Sequence, residues 1–154
     1  MQPPPARDTR HDELDCFLGK WQAEGTSYGG TDQSIDPRAN GEAWQSTHVG
    51  RWHTGSFFLI QDERATIAGR TFDTLSMMGV DADTGDYFIR SFENHGFYRH
   101  YALRREGTKW VLAGATERAE IDFTNDGRTQ VISWEWKPAD HWLPLCDRTA
   151  NRID

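Results

Sequence analysis

From Phe17 onward the chain alternates apolar and polar positions with a period of two, and clusters of Gly, Asn and Asp interrupt the alternation. That pattern predicts ten strands in succession and no long helix. The expected strands are Lys20–Tyr28, Glu42–His53, Phe57–Arg64, Arg70–Asp81 and Tyr87–Glu93, then Phe97–Arg105, Lys109–Ala115, Glu117–Thr124, Arg128–Lys137 and Trp142–Arg152. His11–Phe17 is expected to form one helical turn beneath them. An all-β run of this length either closes or leaves edges prone to aggregation. The reading is therefore a single antiparallel up-and-down β-barrel over residues 14–154, behind a proline-rich leader at 1–13 that is expected to be disordered.

Turn residues set the registers. Taking Asn94-His95 as a two-residue turn pairs Phe92 with Phe97, Arg90 with Arg99 and Phe88 with Tyr101. A three-residue turn would pair Arg90 with His100 instead. Glu106-Gly107 pairs Leu103 with Trp110 and Tyr101 with Leu112, while Asp126-Gly127 pairs Ile121 with Ile132 and Ala119 with Trp134. Each register gathers the larger apolar residues on one face, which is the buried one because a one-residue slip would invert it. Trp21 lies low on that face and plugs the floor, whereas Ala23, Gly25, Ser27, Ser46, Gly50, Thr74 and Ser76 lack bulk. The expected consequence is a cavity open at the end that carries the polar loop Gly29–Asn40. The alternative is a solid barrel filled by Trp44, Phe92, Trp134 and Trp136.

The inward face supplies the candidate chemistry. Arg90 and Arg99, placed opposite each other, need an anion, because like charges across a sheet repel and buried unpaired charges are costly. Glu117 at the same end is one source, Glu93 another if the turn shifts, and a bound carboxylate or phosphate a third. The binding set is thus Arg90 and Arg99 for a head group, Trp44, Phe88, Phe92, Tyr101, Trp134 and Trp136 as aromatic walls, and His48 and Glu117 as polar members. His48 would be the first candidate for proton transfer in an enzyme, but no catalytic residue is assigned. Gly55-Ser56 sits at a hairpin, not at a strand-to-helix elbow, which argues against a hydrolase.

Composition narrows the function further. The 154 residues carry a formal net charge of -7, which argues against nucleic acid or an anionic membrane as partner. No apolar run approaches a membrane span, and Met1–Arg10 has no apolar signal core. Two cysteines make no disulfide framework, so a reducing cytoplasm is expected. No histidine pair has metal-ligand spacing, and no metal is expected.

The segment Gly19-Lys20-Trp21-Gln22-Ala23-Glu24-Gly25 before a ten-strand series resembles the opening of calycin-type barrels, which include lipocalins and nitrobindins. With Met77-Met78-Gly79-Val80-Asp81 and the C-terminal Trp142, Pro144, Asp147 and Arg152, the chain is similar to an uncharacterised lipocalin-like domain family of bacterial proteins. The resemblance implies the barrel fold; the inward aromatic residues and arginines then suggest an intracellular protein that binds a small, largely apolar ligand with an anionic group, without a cofactor. Distant similarity to nitrobindins implies an alternative, haem b held by His141 and acting on reactive nitrogen species. Against it, Ala23 stands where the nitrobindin pattern has glycine, and the residues around His141 depart from that pattern. A third possibility is a filled barrel that acts as a homodimer.

Overall fold

The computed structural model describes residues 1–29, 33 and 35–154. A short helix, α1 (Thr9–Glu13), is capped by the Asp8 carboxylate, which accepts from the Arg10 amide at 2.9 Å. A 3-10 turn follows at Leu14–Phe17. The strands are β1 (Gly19–Ser27), β2 (Glu42–Trp52), β3 (Phe58–Ile67), β4 (Arg70–Thr71), β5 (Thr74–Val80), β6 (Tyr87–Glu93), β7 (Tyr98–Glu106), β8 (Lys109–Ala113), β9 (Glu117–Thr124), β10 (Thr129–Trp136) and β11 (Leu143–Arg152). Each long strand pairs antiparallel with its neighbours in sequence, and β1 pairs with both β2 and β11. The sheet is therefore a closed ten-strand antiparallel up-and-down barrel, with β4 a two-residue spur on β3.

Two expectations about boundaries change. Residues 9–13, assigned to the leader, form α1, and His11 is buried. The expected fourth strand is split because Phe72 turns into the barrel and Asp73 leaves the ladder, its carboxylate accepting from the Ala65 amide at 3.1 Å. Of the expected loop Gly29–Asn40, positions 30–32 and 34 lie outside the described residues.

The lower half of the barrel is solid. Phe17 rises from the 3-10 turn between Trp110 and Phe123, with ring centroids at 5.4 and 5.2 Å. Leu14, Trp21 and Leu59 are wholly buried beside it. This floor forms because Gly50 has no side chain: a Cβ there would stand 2.1 Å from the Phe17 carbonyl oxygen. The upper half holds a second, smaller buried apolar group, Trp44, Ala65 and Cys146. Truncating the plug, Phe17→Ala, is expected to cost about 3–5 kcal/mol of folding free energy. Urea denaturation would measure it, and a loss below about 1 kcal/mol would show that the floor is not part of the cooperative core.

Candidate functional site

The β9–β10 hairpin has the expected register, Ile121 opposite Ile132 and Trp134 opposite Ala119. The β7–β8 pairing is displaced by two residues, Leu103 meeting Leu112, which keeps the expected residues inside. The β6–β7 pairing differs in kind. Arg90 faces His100, Ser91 faces Arg99 and Phe92 faces Tyr98. The loop holds three residues because Glu93 caps it, accepting from the Phe97 amide at 2.8 Å and the His95 amide at 2.9 Å. Asn94 meanwhile accepts from the Asp73 amide at 2.6 Å, so it serves the β4–β5 break instead of a two-residue turn. Gly96 completes the loop with a φ of 95°.

That single-residue shift inverts β6. Phe88, Arg90 and Phe92 point away from the cavity, and Ile89, Ser91 and Glu93 take the inward positions. Arg90 is exposed and lies over the Phe88 ring, and Phe92 stacks on Tyr98 at 4.9 Å. The expected Arg90/Arg99 pair therefore does not exist. Phe92 and Tyr98, together with Phe58, Leu75 and Met77, form an exposed apolar band on the outer wall that Arg90 and His100 interrupt.

The remaining expected residues do converge. Above the floor lies a cavity of about 390 Å³ whose walls include Trp44, His48, Arg99, Tyr101, Glu117 and Trp134. The barrel is hollow in this half, so the filled alternative does not describe it. Trp136 is not part of the cavity wall; its indole donates to Gln33 at 3.1 Å, and Gln33 in turn donates to the Pro144 carbonyl. His141 lies in the exposed β10–β11 loop beside Asp140, outside the cavity. Among the described residues no cluster of three or more His, Cys, Asp or Glu side chains could hold a metal.

Two polar groups divide the cavity. The one on β7 and β9 is internally satisfied: Glu117 accepts from the Tyr101 hydroxyl at 2.8 Å and from Arg99 at 3.4 Å. Burial, reinforced by the Glu117 charge, pushes the Tyr101 phenol far above its ordinary range. The second group joins β2, β3 and β11 deeper in the wall, and only His48 of it was anticipated. Arg148 stacks on the Trp44 ring at 4.2 Å and lies 3.8 Å from Glu63. It reaches them by crossing β1 at Gly25, where a Cβ would stand 2.0 Å from the Asp147 carbonyl and 2.6 Å from Arg148 Cα. Glu63 also lies 3.8 Å from His48 and accepts from Ser46 at 3.5 Å. Arg148, Glu63, Gln130 and Phe72 are among the cavity residues that the sequence reading missed. A charged residue at an inward position between Cys146 and Ala150 was the available signal for Arg148.

No family model matches the sequence, and no curated protein is similar to it. Among solved structures, the chain is similar to zebrafish ileal bile acid-binding protein complexed with cholic acid, at 12% identity and a TM-score of 0.48. That similarity covers 90% of this chain and 99% of the other.

His48 carries a pH prediction. Burial first, and the Arg148 charge second, hold its imidazole down at about 3 against an ordinary 6.5. The unfolded chain then binds more protons between those values, so this stability is present above 6.5 and is lost as pH falls through the window. In NMR titrations the His48 ring resonances are expected to stay fixed from about pH 8 down to about 4.5, and His48→Gln to lessen the acid-induced loss of stability. A His48 resonance that titrates near the ordinary value would show that the ring is not sealed in the wall.

Proposed function

We propose that the protein is a binding protein that holds one small, largely apolar molecule with an anionic group inside the barrel. The observation that carries this reading is the hollow upper half, walled by Trp44, Phe72, Tyr101, Ile132 and Trp134 and containing guanidinium groups. Its volume of about 390 Å³ lies near the lower end of ordinary small-molecule sites, roughly 300–1,000 Å³. Apolar walls supply affinity, and a few fixed polar groups supply orientation. Two unpaired thiols, Cys16 and Cys146, support a reducing compartment such as the cytoplasm as its location.

The test uses 1-anilinonaphthalene-8-sulfonate, an apolar dye with one anionic group. It is expected to bind the native protein with enhanced fluorescence. Filling the cavity by Ser91→Phe or Ser76→Leu should weaken binding by about tenfold or more, whereas Phe92→Ser on the outer wall should leave it unchanged. Absence of dye binding, or binding that responds to Phe92→Ser and not to the filled cavity, would sink the reading.

One observation favours an additional reading, a homodimer. The band of Phe58, Leu75, Met77, Phe92 and Tyr98 leaves large apolar side chains exposed on neighbouring strands, and such patches commonly mark protein interfaces. Sedimentation velocity is expected to show a concentration-dependent dimer that Phe92→Asp dissociates. A wild-type protein that stays monomeric across the accessible concentration range would remove this reading.

A further inference from the structure

Among the interior arginines, Arg99 has its acceptor in place and Arg148 does not. The Arg148 side chain is 10% exposed, its nearest acceptor is Glu63 at 3.8 Å, and its Nε has no partner among the described residues. Beside it both ring nitrogens of His48 and the amide nitrogen of Gln130 are also unpartnered, and each of these residues is 2% exposed. All three side chains line the cavity. The Arg148 Nε–H, the Gln130 amide and the single N–H of a neutral His48 are buried donors that require an acceptor, and a planar guanidinium fork matches the two oxygens of a carboxylate.

Charge complicates that match. Arg148 and Glu63 already balance each other, so an entering carboxylate would place two negative groups beside one positive group in a low-dielectric space. Two carboxylates in such a site do not both ionise readily, and one proton is retained between them. Glu63 is placed to share it, since its only hydrogen bond among the described residues is the 3.5 Å contact from Ser46.

We propose that Arg148, His48 and Gln130 form the subsite for the carboxylate end of an aliphatic ligand, and that the acid binds together with one proton shared between it and Glu63. This rests on the binding reading given above and names the ligand class and the proton linkage. The proton comes from solvent, so one carboxylate and one hydrogen ion enter for each ligand bound.

Other charged groups facing this space do not take over the role. On β2, His48 is held neutral by burial, and on β11 burial raises the Cys146 thiol, which stays protonated. No charged side chain enters the cavity from β1, β5 or β10. Towards the mouth, Arg99 and Tyr101 on β7 bond to Glu117 on β9. Glu42 on β2 pairs with Arg70 on β4, and Glu93 on β6 pairs with His95.

Isothermal titration with octanoate and with 1-octanol, in two buffers of different ionisation enthalpy near neutral pH, tests the proposal. Octanoate is expected to take up about one proton on binding and 1-octanol none. Glu63→Gln should abolish the uptake and tighten octanoate by about tenfold. Arg148→Met combined with Glu63→Gln avoids stranding a buried glutamate; it should weaken octanoate by about tenfold or more and spare 1-octanol. Octanoate binding without proton uptake, or with equal affinity in the double variant, overturns the proposal while leaving the binding reading intact. Failure of both molecules to enter the wild-type barrel overturns the two together.

Discussion

Seven residue pairs between β1 and β11 join the two ends of the meander, and that seam turns a two-faced sheet into a wall with an inside. Every interior distance depends on it. The seam brings Gly25 opposite Arg148 on one side and opposite Trp44 on the other, so the guanidinium can cross β1 and lie on the indole. Without closure, Arg148 and Glu63 would stand at opposite margins of an open sheet. Among the described residues the same seam leaves β4 as the only strand outside the ring, which limits the edges available for unwanted pairing.

Within that wall the electrostatics separate into a settled group and an unsettled one. Glu117 accepts from both Tyr101 and Arg99, and Arg99 additionally covers the Phe97 ring at 4.6 Å. Such a network fixes rotamers and asks nothing of a ligand. Around Glu63 both His48 and Arg148 stand at 3.8 Å, too far for a hydrogen bond and too close for bulk water to screen, and Ser46 alone among the described residues reaches it, at 3.5 Å. The difference explains why the mouth arginine, which sequence reasoning favoured, is the weaker candidate for orienting a ligand.

How legible each element was depended on what fixed its register. Asn125-Asp126-Gly127 specified the β9–β10 hairpin to the residue, because the turn demands positive φ at all three positions and Asn, Asp and Gly are the residues that tolerate it. At β7–β8 the turn moved onto Gly107 and Thr108, but a displacement of two residues preserves the faces, so Tyr101 and Leu112 stayed inside. At β6–β7 the side chains of Glu93 and Asn94 were recruited by the loop and by Asp73, and a shift of one residue sent Phe88, Arg90 and Phe92 outside. Local sequence could not reveal that recruitment, since Asp73 lies 21 residues before Asn94, in the break between β4 and β5. Arg148 was hidden for a related reason: β10 and β11 are joined by a long loop, and their ladder shifts between Trp134 and Glu135.

The division between a solid floor and a hollow upper half follows from where bulk is removed. Gly50 lets the 3-10 turn press Phe17 into the base, and Gly25 lets Arg148 cross the wall. Ser76 and Ser91 then leave the space beside them open, satisfying each other at 2.9 Å. Stability alone would favour a different interior. Replacing a buried ion pair by well-packed apolar residues is commonly neutral or stabilising by about 1–4 kcal/mol, and filling a cavity restores lost dispersion contacts. A barrel that already closes on a plug of Phe17, Trp21 and Trp110 has no structural need for a loosely held arginine and glutamate above it. Their presence, with unpartnered His48 and Gln130 beside them, is therefore best accounted for by something that enters the cavity and completes the set.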